Sequence, residues 1–140
     1  MDSDDWLEAD ALRVYWNEAC RVDADVVIAD HNSIYENGTV KRFKFFSQNF
    51  VTSDRDVIDK LQQTMLYGSY SPYYSESCGY LFAALWTKLF RRTILVENSV
   101  RFPTNISLYE DGMFDLYAFE FVKTVAYIQE PLYNYRVLNS

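Results

Sequence analysis

Met1-Asp2-Ser3-Asp4-Asp5-Trp6 opens the chain, placing three carboxylates in four positions ahead of an aromatic residue and a helical pattern. Such a stretch reads as the acidic end of a strand turning into a helix. Asp and Glu oxygens are the ligands that hard divalent cations prefer, and Mg²⁺ takes only one or two of them, leaving phosphates and water to complete its shell. The Asp2-x-Asp4 spacing is therefore a place to seat a metal-bound diphosphate. A plainer role is open to the same acids: Asp4 or Asp5 caps the next helix and the others favour its positive end. Two rivals fail on spacing. A calcium loop counted from Asp2 would need Gly and Glu where Leu7 and Arg13 stand. An aspartyl-phosphatase loop would need Thr or Val where Trp6 stands.

Working outward, the 140-residue chain is 49% hydrophobic and 24% charged, which suits one packed soluble domain. A net charge of −7 argues against a general nucleic-acid role, which requires a basic face against phosphate. Lys41, Arg42 and Lys44 come nearest to a basic patch, but their alternation with Phe43 and Phe45 marks the solvated face of a strand. Cys20 and Cys78 show neither paired spacing nor a histidine cluster and read as small core residues in a reducing compartment. His31 is the sole histidine, so nothing nearby supports a zinc site or a Ser-His-Asp triad. There is no apolar run of about eighteen residues and no signal peptide ahead of the first motif, so the sequons at Asn37 and Asn105 are expected to be idle. With twelve tyrosines the aromatic content reaches 18%, and while stacking rings suit sugar faces, most of these rings are expected in an ordinary core and surface.

Leu12, Tyr15, Trp16 and Ala19 recur at helical spacing and predict an amphipathic helix over residues 8–21. Val26-Val27-Ile28-Ala29 is a short β-branched run, the mark of a strand buried on both faces. Asn37-Gly38 signals a hairpin returning through an alternating strand over residues 39–46. Ser53 with Asp56 approximates a capping box, and Val57, Leu61 and Met65 line one face of a helix over 54–67 that Gly68 closes. Residues 69–77 carry turn chemistry and read as a loop. A buried strand is expected over 80–86, a short helix over 88–95 with Arg91 and Arg92 outward, and a helix from about Glu110 with Phe114, Tyr117 and Phe121 inward. Residues 124–129 and 132–137 read as strands either side of Pro131. With no repeat, low-complexity tract or linker, residues 1–140 read as a single domain.

Asp2-Ser3-Asp4-Asp5-Trp6-Leu7 resembles the metal-binding Asp-x-Asp segment of family 2 glycosyltransferases. Leu85-Trp86-Thr87-Lys88-Leu89-Phe90-Arg91-Arg92, Arg101-Phe102-Pro103, Tyr109-Glu110-Asp111-Gly112-Met113-Phe114 and Glu130-Pro131-Leu132-Tyr133-Asn134-Tyr135-Arg136 resemble that family's later landmarks, in the same order. The resemblance spans nearly the whole chain but only the middle-to-C-terminal portion of such an enzyme. It implies an α/β fold, a partial GT-A-like mixed sheet flanked by helices. The implied reaction is metal-dependent inverting transfer, with Mn²⁺ or Mg²⁺, from a UDP-linked nucleotide sugar to a glycan or lipid-linked acceptor. The implied setting is cytoplasmic, with peripheral contact at the inner face of the membrane.

Inverting transfer needs a carboxylate to take the acceptor hydroxyl proton and a metal to offset charge on the leaving phosphate. By resemblance Asp111 matches the family's base, with Glu110 orienting it or the acceptor; alternatively both acids merely favour a helix dipole, worth about 0.3–1 kcal/mol. Asp2 is nominated for ribose or metal and Asp4 for direct coordination, while Asp5 caps the helix or touches the donor sugar. Trp86 and Lys88 recur in the family's segment. Lys88 would contact phosphate or acceptor, or simply snorkel. Arg136 would pair with diphosphate, or bridge Glu110 or Glu130.

Members of this family begin with a nucleotide-binding half that would precede Met1, so the chain is expected to be an inactive fragment. Without those strands, residues 26–29 would carry an unpaired edge, and a homodimer is expected. The alternative is a non-catalytic interaction or scaffold module of the same ancestry. A phosphotransfer enzyme is disfavoured because no Gly-rich phosphate loop appears.

Overall fold

The computed structural model describes residues 3–67, 82–106 and 108–138. Asp2, Gly68, the expected loop at 69–77, Cys78 and the start of the expected strand at 80–86 lie outside the described residues. In chain order the elements are β1 (Trp6–Leu7), α1 (Ala11–Val22), β2 (Val26–Tyr35), β3 (Val40–Phe43), β4 (Phe50–Thr52) and α2 (Arg55–Tyr67). A 3₁₀ turn (Leu85–Thr87), β5 (Lys88–Phe90), α3 (Arg92–Glu97), α4 (Glu110–Phe119) and β6 (Val125–Val137) follow.

One mixed sheet carries these elements, in the order β1-β6-β2-β3, with β4 beside β6 and β5 beside β2. The β-branched run at the start of β2 is its spine, as the absence of polar alternation there predicts. Side chains alternate faces along a strand, so Val26 and Ile28 face one layer and Val27 and Ala29 the other. The first layer packs on Phe45, Phe46, Ile58, Leu61 and Met65, and the second on Ala11 and Tyr15 of α1. Fully burying each such apolar side chain contributes about 1.5–3 kcal/mol, so both faces of β2 fix the sheet between its helices. The mixed α/β architecture with flanking helices is the one the sequence implied.

Several expectations are corrected. The strand over 26–29 has no free edge: β2 pairs in parallel with β6 on one side and antiparallel with β5 and β3 on the other. The unpaired edge at residues 26–28 from which a homodimer was expected is therefore not present in the sheet. Residues 3 and 4 form a turn, and the chain then enters a short strand rather than the expected helix directly: Trp6–Leu7 pairs with Tyr133 and Asn134. Neither Asp4 nor Asp5 caps α1, whose N-cap position is Asp10. On α1 the buried stripe runs through Ala11 and Tyr15, which turns Leu12 and Trp16 outward, each 65% exposed. Cys20 is exposed, not core.

The start of α2 is held by Asp54, whose carboxylate accepts the Asp56 N–H at 2.9 Å, while Ser53 spends its hydroxyl on Thr124. Of the expected strand at 80–86, residues 82, 83, 85 and 86 lie in 3₁₀ turns, and of the expected helix at 88–95 the first three residues form β5 instead. Three residues of β2 need antiparallel partners there, and Lys88–Phe90 supply them against 26–28. Tyr117 and Phe121 are exposed, and the inner face of α4 belongs to Phe114, Asp115, Ala118 and Phe119. The two strands expected around Pro131 are one strand, and its register slips against β2 on either side of Asp30, opposite Pro131. Proline has no N–H to give the ladder, which places the irregularity there. The hairpin at Asn37-Gly38 forms, with Gly38 at φ +83°, a left-handed turn that glycine adopts without strain.

No helix among the described residues is long and apolar enough to cross a membrane.

Candidate active site around Trp86

β6 and the 3₁₀ turn bring most of the nominated residues to one place. Because β6 alternates, Tyr133 and Tyr135 share a face, and the Trp86 ring stacks on both, with centroids 4.4 Å and 5.6 Å away. His31 of β2 meets the Trp86 ring edge-on at 4.9 Å. Large rings at such separations gain beyond their buried area, which holds the turn against the sheet.

The opening acids attach to this cluster through Asp5. Its carboxylate is buried and accepts the Tyr133 hydroxyl at 2.7 Å on one oxygen and the Arg136 backbone N–H at 2.8 Å on the other. Asp5 thus ties the start of the chain to the end of β6. Asp4 is left exposed beside it. The Arg136 guanidinium lies 5.7 Å from the centre of the Trp6 ring, a cation–π distance, and among the described residues it forms no ion pair. The expected bridge from Arg136 to Glu110 or Glu130 is not formed. Its side chain stands at the surface, beside the turn that carries Asp4.

Asp111 joins the same cluster from the other side. It lies half-buried in the first turn of α4, a helix that packs through Phe114 and Ala118 on Leu85 of the 3₁₀ turn. Burial raises the Asp111 carboxyl above its ordinary range, and the neighbouring Glu110 carboxylate adds to the rise; the Leu85 N–H and the Lys88 ammonium oppose it. A half-buried carboxylate raised in this way is a stronger base than an exposed one. Gly112 follows because Tyr109 folds back over it: a Cβ at this position would lie 2.2 Å from the Tyr109 ring. Tyr109 itself sits at φ 67° and bonds the Met65 carbonyl, which pins the entry to the helix.

Lys88 is not presented to solvent. Its side chain is fully buried and its ammonium reaches Asp115 at 2.8 Å, with the carbonyls of Phe82 and Ala84 as further acceptors. The structure thus turns the lysine into the fold, away from the phosphate or acceptor contact the sequence suggested and away from snorkelling. Asp115 was not singled out by sequence. Its signal was its spacing, four residues beyond Asp111 on a helix, which puts both on one face.

A hard cation here would find Asp4 as its exposed described carboxylate, since both Asp5 oxygens are engaged. No group of three or more His, Cys, Asp or Glu is gathered among the described residues. A single exposed carboxylate supplies at most one protein residue to the six-oxygen shell of such an ion.

No family model matches the chain. Over 98% of its length it is 28% identical to EpsH of Bacillus subtilis strain 168, whose name assigns it provisionally to the glycosyltransferases. Over 98% of its length it is also 22% identical to the glycosyltransferase GlyA of Streptococcus pneumoniae serotype 4. It spans 36% of the first relative and 18% of the second. Among solved structures, S. aureus TarS 1–349 superposes with a TM-score of 0.65 at 17% identity, covering 97% of this chain and 34% of that one. The same TarS segment in complex with UDP-GlcNAc gives 0.65 at 19% identity, covering all of this chain and 34% of that one. The chain is a distant relative of glycosyltransferases along nearly its whole length, and its fold matches part of the TarS fold.

Proposed function

We propose that this chain is the metal-bearing and acceptor-side portion of an inverting glycosyltransferase that takes a sugar from a UDP-linked donor to a glycan or lipid-linked acceptor. The observation that carries this reading is the contact path through Trp86. Asp5 reaches the ring through Tyr133, and α4, which carries Asp111, packs through Phe114 and Ala118 on Leu85 of the same turn, so the two acidic stretches are built onto one cluster. The sequence relatives support sugar transfer, and the UDP-GlcNAc held by TarS supports the choice of donor.

In this reading Asp111 takes the acceptor hydroxyl proton as that oxygen bonds to the anomeric carbon. The bond from the anomeric carbon to the diphosphate oxygen breaks on the opposite side, which inverts configuration. Arg136, exposed and forming no ion pair among the described residues, offers its guanidinium to the diphosphate. A Mn²⁺ or Mg²⁺ ion at Asp4 and Asp2 would offset charge on the leaving group. Trp86 and Tyr135 offer ring faces to a sugar acceptor.

Calorimetry with UDP in the presence and absence of Mn²⁺, on the full-length parent protein, tests this. Heat that requires Mn²⁺ and disappears in Asp4→Ala is the expected result. No heat under either condition would favour the non-catalytic module instead.

A further inference from the structure

On β2, Ser33 lies directly between Tyr135 of β6 and Lys41 of β3, and the adjoining row across the same three strands is Tyr133, His31 and Phe43. Residues paired across a sheet point to the same side, so both rows share the face on which Trp86 stacks on Tyr133 and Tyr135. Alternation in the sequence marked Lys41 and Arg42 together as a solvated basic face. The structure separates them. Arg42 turns to Asp30 at 3.3 Å, whereas Lys41 is exposed and makes no ion pair among the described residues. Its ammonium lies 4.7 Å from the centre of the Phe43 ring, a cation–π contact that favours holding the charge over the aromatic row.

Two buried polar groups on this face have no partner in the fold. Ser33 is 3% exposed, yet its hydroxyl makes no hydrogen bond among the described residues. His31, deeper in the next row, has both ring nitrogens unpartnered. Leaving a buried polar group unpaired costs free energy, so the face is poised for a polar ligand that supplies what the protein does not.

We propose that this face is an acceptor subsite for a sugar that carries a carboxylate or a phosphate. Trp86 and Tyr135 hold the sugar ring, Ser33 bonds one of its hydroxyls, and Lys41 receives the anionic oxygen. Tyr135 and Lys41 stand two strand spacings apart, about 10 Å, the scale of a disaccharide. The chain's net charge of −7 repels an anionic acceptor at long range, so recognising one needs a local cation, and Lys41 is placed to be that cation. The subsite rests on the transferase reading for the name acceptor; its ligand chemistry follows from the face itself.

The test is titration of the 140-residue chain by NMR, following the Trp86 indole N–H and the Ser33 and Lys41 amides. The probes are maltotriose, trigalacturonate and maltotriosyl phosphate, and the last two distinguish a carboxylate from a phosphate as the preferred anion. At least one acidic probe is expected to bind about tenfold tighter than maltotriose, the scale of one hydrogen bond to a charged group. Lys41→Gln is expected to abolish that preference, Lys41→Arg to keep it, and added salt to weaken it. Acidic probes that bind no tighter than maltotriose, a preference that survives Lys41→Gln, or no binding by any probe overturns the proposal. A Lys41-dependent preference in a protein whose full-length parent gives no heat with UDP and Mn²⁺ keeps the subsite and removes the transferase reading. UDP heat without the preference does the reverse.

Discussion

Tyr133 donates its hydroxyl to Asp5 Oδ2 at 2.7 Å, joining residues 128 positions apart and fixing the opening turn to the far end of β6. The acceptor is buried, so loss of the donor leaves a carboxylate oxygen without its partner. Tyr133→Phe is expected to destabilise the protein by about 1–3 kcal/mol, since an unsatisfied buried acceptor costs its desolvation. The shift in urea midpoint at unchanged slope measures it.

Gly112 is set by packing. A methyl group there would lie 2.2–2.8 Å from three atoms of the Tyr109 ring, which is itself held by the Met65 carbonyl. Gly112→Ala is expected to cost about 1–3 kcal/mol, as overpacking does. A double-mutant cycle with Tyr109→Ala should recover much of that loss, because the smaller residue clears the space. Additive effects would show that the ring is not the obstacle.

Two buried groups oppose each other in their response to acid. His31 has both ring nitrogens without hydrogen-bond partners among the described residues, and burial lowers it to about 4. The unfolded chain therefore binds the extra proton first, and this contribution, complete above the ordinary histidine value, is lost as pH falls toward 4. Asp115 is raised to about 6, by burial foremost, against the pull of Lys88. Here the native state binds the proton first, so its contribution is complete below the ordinary carboxylate value and is lost as pH rises through 6. His31→Phe should stabilise the fold more at pH 5 than at pH 7. Asp115→Asn should remove the decline between pH 4 and pH 6. Urea midpoints across that range check both signs.

In the full-length parent protein, Asp111→Asn is expected to lower turnover by about 10²–10⁴-fold while leaving UDP binding intact, as removal of a general base does. Unchanged kcat would remove the assignment. Glu110→Gln takes away a charge that raises the Asp111 carboxyl, so the acid limb of the pH–rate profile should move to lower pH. A limb that stays in place would mean that the two acids are not coupled.

Local pattern was enough for the elements whose burial is decided along the chain itself. The β-branched run at residues 26–29 became the spine of the sheet, Asn37-Gly38 became its hairpin, and the acids at 110–111 began a helix. The ordered landmarks also named Asp5, Trp86, Asp111 and Arg136, residues that the fold brings to one cluster. Periodicity misjudged facing where it spanned a single residue's rotation: Leu12 and Trp16 stand one step past Ala11 and Tyr15, and each step on a helix turns about 100°. It also mistook Lys88–Phe90 for helix, because the strand arises only when β2 offers an antiparallel edge.

By itself the sequence determined which segments could be buried and which residue types stood ready for metal, proton and phosphate, since these follow from side-chain chemistry and local spacing. Tertiary structure decided where the charges went. Lys88 was drawn inward to Asp115, and Asp5 was spent on Tyr133. The reason is that a charge in a low-dielectric interior must find partners, and those partners come from elements that only folding brings alongside it.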